Sequence, residues 1–330
     1  MPLSRTIIKV FLISKICHKG YKNQQNLSSD MNRLNKVTKE PSLAFGGQAV
    51  MEGVMIRSKN HLVICVRQPN AKIIAKTETL HSLSEKYKFL KVPFLRGILA
   101  LFETLYSGIK GIYFSANAAF SEDDQEEEIL SSKEIALVVA FSVGLSILLF
   151  SVVPYFLTSL SFEVGILFNI VEGGVRLSFL LAYLAIVSMI GDFKRIFQYH
   201  GAEHAAINAY EAGVELNVEN TRKFSRFHSR CGTSFLLIVT VISILFFSLI
   251  SSPDYFVRLS YRILLIPIIS GVSYEILRLS DRYRSSLIVK VLVAPGLLLQ
   301  RLTTRQPDDE MIEVAIKAVK EVEMLQTKNK

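Results

Sequence analysis

The residue types and spacing most typical of catalytic and metal-binding sites occur in one segment, from residue 197 to residue 235. Its motif HGAEH places His200 and His204 four residues apart, with Glu203 beside the second histidine. On a helix the two histidines share a face one turn apart, so their imidazoles can reach one zinc or other borderline divalent ion. Glu203 would then act as a general base, as the glutamate does in HExxH and HxxEH metallopeptidases. We therefore predict a divalent metal, zinc by ligand type, with Glu203 as the catalytic residue.

A third metal ligand must come from elsewhere, because a catalytic zinc site usually takes three protein ligands plus water. His228 and Cys231 follow in the string HSRC, and Glu275 lies far downstream, as the glutamate ligand does in inverted zinc peptidases. We take all three as candidate ligands. Cys231 is also interpretable as a small buried apolar residue. His228 and Cys231 have the spacing of a nucleophilic dyad too, but no third orienting residue is identifiable in the sequence.

Simpler ion pairs compete with these roles. Glu203 would pair with Arg195 or Arg230 if it had no catalytic function. Glu275 would pair with Arg278, which lies near it on a helix. Both alternatives remain open at the level of sequence.

The elements that must position these residues are apolar segments long enough to cross a bilayer. We predict four membrane spans, at 135–156, 173–191, 234–251 and 256–277. The loop at 192–230 holds six Lys or Arg residues, whereas the loop at 157–172 holds none. By the positive-inside rule the long loop is cytoplasmic, and four spans then place both termini in the cytoplasm. His200, His228 and Glu275 are thereby predicted to share the cytoplasmic face.

The predicted fold is a predominantly α-helical integral membrane protein of about four transmembrane helices, with a small N-terminal module. That module combines a β-hairpin, turning at residues 68–71, with an amphipathic helix at 92–120. The apolar face of this helix suits either an anionic membrane surface or the hairpin. Three glycines lie at positions 46, 47 and 53. They predict a backbone that adopts unusual angles or comes close to a neighbouring segment, and not a regular element. The predicted domains are a disordered basic tail at 1–41, a cytoplasmic or interfacial module at 42–120, an acidic linker at 121–133, a membrane domain at 134–284 with a His-rich loop at 192–233, and an interfacial segment plus C-terminal amphipathic helix at 285–330.

Composition excludes several classes of protein. The net charge of the 330 residues is +9, and residues 1–40 account for +6 of it, so the rest of the chain is only weakly basic. We find no nucleic-acid reading module, and nucleic acid is not an expected partner. The three cysteines lack paired spacing, which excludes a disulfide scaffold and fits a reducing compartment. Whether residues 1–30 are translated or form a transit segment stays open.

Several strings in the chain together resemble one bacterial membrane family. They are GGQAVMEGVMIR at 46–57, QYHGAEHAAINAYE at 198–211, HSRCGTSF at 228–235, YEILRLSDR at 274–282 and APGLLLQRLTTRQPDDEMIEVAI at 294–316. The chain is similar over about residues 42–326 to the YqhQ-like family, domain of unknown function 1385, whose members are described as suspected metal-dependent enzymes. The resemblance implies a multi-pass protein of the bacterial cell membrane with a metal site and no established substrate. The resemblance also suggests that the glycine-rich segment at 46–57 closes over the histidines. We favour the alternative, in which this segment is a tight turn that only docks the hairpin.

The predicted function is a metal-dependent membrane hydrolase with its site at the cytoplasmic interface. Its metal ligands would come from His200, His204, His228, Cys231 and Glu275. The alternative is a non-enzymatic assembly or regulatory factor with a structural histidine cluster and a membrane-protein partner. In either case the lipid bilayer is the expected surrounding, and the substrate is not identifiable. Transport is disfavoured because no inverted repeat is visible.

Overall fold

A four-stranded sheet opens the part of the chain that the computed structural model describes, which comprises residues 45–120, 132–163, 165–250, 252, 254–283 and 286–328. The predicted basic tail at 1–41 and most of the predicted acidic linker at 121–133 lie outside these residues. The sheet is antiparallel with the strand order β1-β2-β3-β4. Its strands are β1 (Gly46–Val50), β2 (Gly53–Arg57), β3 (His61–Arg67) and β4 (Ile73–Thr79).

The predicted hairpin is confirmed as β3 and β4, but the prediction of an irregular glycine-rich segment is wrong. That segment forms β1 and β2, joined at a tight turn in which Glu52 has a φ of 47°. The predicted close approach is present. A Cβ on Gly53 would collide with the Cys65 carbonyl oxygen, and one on Gly47 would lie 2.5 Å from Glu203 Oε1. Glycine serves these strands by allowing neighbours to come close.

The rest of the described chain is helical. The helices are α1 (Leu83–Lys86), α2 (Leu95–Phe120), α3 (Ser132–Ile147), α4 (Val153–Ser159), α5 (Ile166–Val187), α6 (Gly191–Glu211), α7 (Val218–Thr221), α8 (Gly232–Ser248), α9 (Tyr255–Arg282), α10 (Leu287–Thr303) and α11 (Asp309–Lys328). A wider turn at Leu148–Val152 joins α3 to α4 without a break in the helix. The segment predicted to be interfacial after residue 285 is α10, which continues through Pro295.

Three helical stretches are long and apolar enough to cross a membrane. They are Leu137–Ser159, Ile166–Val187 and Tyr255–Ser280, judged by length and composition. The remaining predicted span, at 234–251, is α8, which is apolar but only 17 residues long. Each apolar segment predicted from the sequence is therefore a helix.

Helix α2 packs through a face of small residues that lies beside its predicted apolar stripe, which consists of Ile98, Leu101, Phe102, Leu105, Ile109 and Ile112. The residues that it buries are small, such as Gly97, Gly108 and Gly111. Gly108 lies against Gln48 of β1, whereas the predicted stripe contains exposed side chains, including Phe102. The sheet therefore packs on the small-residue face, and the apolar stripe stays exposed.

Helix α6, which carries the HGAEH motif, packs against β1 and β2 of the sheet and against the C-terminal helix α11. Helix α11 itself packs on β2 and β3, so both helices contact the sheet. The contact between α6 and α11 is apolar, because α11 turns an aliphatic face inward. Asp308 caps the N-terminus of α11 by accepting from the Met311 N–H. The buried residues of that face are Met311, Ile312, Val314, Ala315, Ile316, Ala318, Val319 and Val322. The site helix is thus fixed by packing against both the sheet and α11.

Candidate metal centre

The predicted helical setting of His200 and His204 is confirmed, since both lie on α6. Gly201 between them lets the segment after α10 run directly against the helix. A Cβ at Gly201 would collide with the Arg305 carbonyl oxygen, and the Arg305 N–H donates to the Phe197 carbonyl at 2.8 Å. The glycine of the motif therefore brings the 303–305 segment to the histidines.

Both histidines are oriented through one ring nitrogen by a backbone carbonyl. Nδ1 of His200 lies 2.8 Å from the Thr303 oxygen, and Nδ1 of His204 lies 2.7 Å from the Arg226 oxygen. A carbonyl can only accept, so Nδ1 carries the proton and Nε2 keeps its lone pair. This arrangement is typical of metal-ligating histidines. Burial lowers the pKa of His204, and the neighbouring His200 lowers it further. A lower pKa favours the neutral imidazole, which is the form that binds metal.

Cys231 joins the two histidines. Its Sγ lies 3.2 Å from His200 Nε2, and one donor atom from each of His200, His204 and Cys231 lies within 4.8 Å of the other two. Cys231 also caps the N-terminus of α8, where the Thr233 N–H donates to its sulfur at 3.4 Å. Burial raises the pKa of the Cys231 thiol, and the hydrogen bonds from Thr233 act in the opposite direction. The structure therefore brings Cys231 into a three-donor cluster with the histidines.

The chemistry of this donor set suits a tetrahedral ion, and the widest donor separation, up to 4.8 Å, would have to close by about 1 Å around it. Zinc bonds of about 2.0–2.1 Å to nitrogen and 2.3 Å to sulfur imply donor-to-donor distances of about 3.4–3.6 Å. The 3.2 Å separation of His200 Nε2 and Cys231 Sγ is close to that value. Two imidazoles and a thiolate suit zinc better than calcium or magnesium, which prefer oxygen ligands.

Glu203 lies beside the cluster and is 3% exposed. Burial raises the pKa of its carboxyl to about 8; His200 lowers the pKa and Cys231 raises it. The two arginines that competed for Glu203 in the sequence have other partners, since Arg195 bonds to Glu52 and Arg230 to Glu211. Glu203 is therefore a buried carboxyl within electrostatic range of the cluster, and it is not used in either of the predicted ion pairs.

His228 lies next to the cluster but is not one of its three converging donors. Its ring centre is 5.7 Å from that of His204, and its Nε2 is 3.8 Å from Glu211 Oε2. Gln300 fixes its backbone by donating to the His228 carbonyl at 2.8 Å and accepting from the His228 N–H at 3.0 Å. His228 is thus held firmly at the edge of the site.

Glu275 is bound elsewhere. Its two carboxylate oxygens accept from the Arg96 guanidinium, and the Nε–Oε1 distance is 2.6 Å. The main partner is therefore Arg96 of α2, and not the predicted Arg278. The structure does not bring Glu275 into the three-donor cluster.

A second acidic group supports the helix below the histidines. Glu52, at the β1–β2 turn, accepts two hydrogen bonds from Arg195 at 2.6 and 2.5 Å and one from Tyr199 at 3.2 Å. Hydrogen bonding to Arg195 lowers the pKa of Glu52, although burial raises it. The glycine-rich hairpin is therefore tied to α6 through Glu52, and its Gly47 also lies directly against Glu203, so the segment both docks on the helix and borders the site.

Positive charge surrounds the carbonyls that hold the histidines. Burial, together with the charges of Arg305 and Arg301, lowers the pKa of Arg226. These three arginines therefore concentrate positive charge on this side of the site.

Comparison with known proteins places the chain in a family. A model of the family described as "Protein of unknown function (DUF1385)" matches residues 92–325, which include every predicted metal ligand. The chain belongs to the DUF1385 family. It is 37% identical over 295 residues to "Uncharacterized protein YqhQ" from Bacillus subtilis (strain 168), with 84% of this chain and 92% of that protein covered. No solved structure matches the chain.

Sequence reasoning missed several members of this DUF1385 site. Thr303 and Arg226 act through backbone carbonyls, which every residue type possesses, so no sequence signal identifies them. Gln300 had a weak signal, as a polar residue near the end of the apolar 285–300 segment. Its side chain is fully buried and bridges His228 to Ser234, where its Nε2 lies 3.1 Å from the serine oxygen.

Proposed function

We propose that this member of the DUF1385 family is a metal-dependent membrane hydrolase whose site faces the cytoplasm at the membrane interface. The observation that supports the proposal best is the convergence of His200, His204 and Cys231 beside the buried Glu203. A histidine–histidine–cysteine set provides three protein ligands and leaves one tetrahedral position for substrate, as catalytic zinc sites do.

The protein's own residues have distinct tasks in this proposal. His200, His204 and Cys231 would hold the ion, and the Thr303 and Arg226 carbonyls keep both imidazoles in the required tautomer. When bound, zinc would supply Lewis-acid chemistry by polarising a carbonyl or phosphoryl oxygen. Glu203 would take up and return a proton at its carboxylate. Its burial beside the three donors places the carboxylate where that exchange would take place.

The proposed membrane placement comprises four spans, with α8 as the shortest. Large apolar side chains point outward along the candidate spans, as in Leu137 at 71% exposure and Phe141 at 69%. Soluble proteins rarely expose apolar surface on this scale. The excess of Lys and Arg at 192–230 supports a cytoplasmic location for the site and, with four spans, for both termini. The exposed stripe of α2 would then lie on the inner membrane surface.

The substitution Glu203→Gln tests the catalytic part of the proposal. Glutamine keeps the size of the side chain but cannot accept a proton at neutral pH, and a general base contributes about 10²–10⁴-fold in rate. We expect the variant to retain its abundance and its zinc but to fail to complement a strain that lacks the native gene. Glu215→Gln, at an exposed position after the same helix, is the matched control and should complement. Full complementation by Glu203→Gln at normal abundance would contradict catalysis by this residue.

A non-enzymatic role with a structural metal is the second candidate, and the position of His228 favours it. If the His228 ring turned inward from its place beside His204, it would complete a closed four-ligand site. In that case His228→Ala would lose metal as completely as His200→Ala. Under the hydrolase proposal His228→Ala keeps about one zinc per chain.

A further inference from the structure

A cluster of buried charges lies in the candidate spans, towards the ends opposite to the histidine site. Glu172 and Arg176 lie one turn apart on α5, and Arg258 and Arg262 lie one turn apart on α9. Glu172 and Arg258 are each 1% exposed, and Arg262 is 5% exposed. Ionised groups at such positions are costly unless paired, and they mark functional sites in membrane proteins.

The carboxylate of Glu172 is fully used by two of the three arginines. It accepts from Arg176 Nη2 at 2.6 Å and from Arg262 Nη1 at 2.9 Å, with a further bond from Arg262 Nη2. Arg258 has no share in it. Its one hydrogen bond between side chains within the described residues is to the Tyr155 hydroxyl at 2.7 Å.

Positive charge therefore exceeds negative charge in this cluster. Among the described residues the cluster holds three guanidinium groups and one buried carboxylate, and the rings of Tyr155, Phe168 and Phe247 lie about 5 Å from the guanidinium carbons. Within the described residues, buried nitrogens remain without a hydrogen-bond partner; they are Arg176 Nε, Arg258 Nε, Arg258 Nη1 and Arg262 Nε. Unpaired donors and uncompensated charge at this burial both call for an anion.

We propose that the Arg176–Arg258–Arg262 cluster binds the phosphate group of a membrane lipid. Guanidinium groups pair well with phosphate oxygens, and each arginine of the cluster keeps at least one unpaired nitrogen for such a bond. Arg258 and Arg262 are the fourth and eighth residues of α9, and Glu172 and Arg176 are the seventh and eleventh of α5. At 1.5 Å per residue the four groups lie about 5–15 Å from the helix ends, with Arg258 nearest to the depth of lipid headgroups.

A lipid is favoured over free phosphate as the source of the bound phosphate group, because the helices that carry the cluster expose apolar side chains. Leu167 and Ile170 on α5 are 62% and 54% exposed, and Phe256 on α9 is 76% exposed. Acyl chains would cover these side chains while the headgroup reached the arginines. The proposal rests on the membrane placement proposed above, but not on the metal or on catalysis.

Native mass spectrometry of the full chain tests the proposal. The chain is first recovered from the membrane fraction, which checks its placement independently, and then measured in detergent without phosphate buffer. Phosphatidylglycerol, phosphatidylcholine and inorganic phosphate are the three probes. We expect one phosphatidylglycerol per chain, bound about tenfold more tightly than phosphatidylcholine, because a net anion satisfies the excess charge. Binding of inorganic phosphate, with no preference for the anionic lipid, would keep the anion site and overturn the lipid source.

Two variants on α9 provide the comparison. Arg258→Met keeps an unbranched, apolar side chain but removes the guanidinium, and it should weaken phosphatidylglycerol binding about tenfold. Arg278→Met, at an exposed position near the other end of the same helix, should bind as the wild type does. If Arg258→Met does not fold, the wild-type measurement still decides. Absence of any retained lipid or phosphate from the wild type, or equal binding by both variants, would overturn the proposal.

Discussion

The histidines show how much of a site single residues encode. The i, i+4 spacing predicted one helical face for His200 and His204, because that relation depends only on local backbone geometry. Cys231 was one of three candidates for the third ligand, and the sequence could not choose among them, since its meeting with His200 depends on how α8 packs against α10 and brings its N-terminus to α6. The carbonyls of Thr303 and Arg226 carry no signature of side-chain type. The local half of the cluster was therefore predictable, and the tertiary half was not.

Cobalt spectroscopy tests Cys231 as a ligand. A thiolate bound to Co²⁺ gives a ligand-to-metal charge-transfer band in the near ultraviolet, which imidazole and carboxylate ligands do not give. We expect the band in the cobalt-loaded wild type and its loss in Cys231→Ser, with metal affinity at least about tenfold weaker. Cys65→Ser is the matched control, because Cys65 is buried in β3 away from the cluster. A band of full strength in Cys231→Ser would contradict the assignment.

Among the secondary-structure elements, the glycine-rich segment gave one wrong prediction, its irregular backbone, and one confirmed prediction, the close approach of its neighbours. The glycine-rich segment was predicted to be irregular because glycine allows unusual backbone angles and close approach. In the structure Gly47 and Gly53 are needed in strands, where a side chain would strike Glu203 or the Cys65 carbonyl. The amphipathic helices 92–120 and 308–326 were predictable, because periodic burial is a local pattern. The choice of which face α2 buries was decided by the small residues that its neighbours require.

The contact between α6 and the 303–305 segment can be tested at Gly201. Gly201→Ala places a methyl group against the Arg305 carbonyl, and overpacking of this kind costs about 1–3 kcal/mol. We expect a melting temperature several degrees lower in detergent, together with weaker metal binding, because the Thr303 carbonyl that orients His200 is displaced. Gly191→Ala, in the same helix but with no atom within 4 Å of the added carbon, is the control. Equal melting temperatures for the two variants would show that the close contact is not needed.

For the whole molecule, counting spans predicted a shared face but not shared contacts. Topology alone put Glu275 on the same side as the histidines. It could not show that α2 folds back against α9, where Arg96 binds the Glu275 carboxylate. The excess of arginine around Glu172 was not predicted either, because charged residues near the ends of an apolar segment are ordinarily expected to reach solvent.

Labelling of introduced cysteines tests the proposed orientation. Glu215 and Glu163 are both exposed, and they lie in the loops after α6 and before α5. In intact cells an impermeant thiol reagent should modify Glu163→Cys but not Glu215→Cys, and both should react after the membrane is permeabilised. The parent chain, with Cys65 and Cys231 buried, gives the background. Labelling of Glu215→Cys from outside would reverse the orientation.

The metal content of the purified chain tests the central claim most directly. Elemental analysis of detergent-purified wild type should find about one zinc ion per chain. The double variant His200→Ala, His204→Ala should contain almost none, because it loses two of the three converging donors. His81→Ala, at an exposed histidine outside the cluster, should keep the wild-type content. Full retention of zinc by a folded double variant would contradict a metal centre on α6.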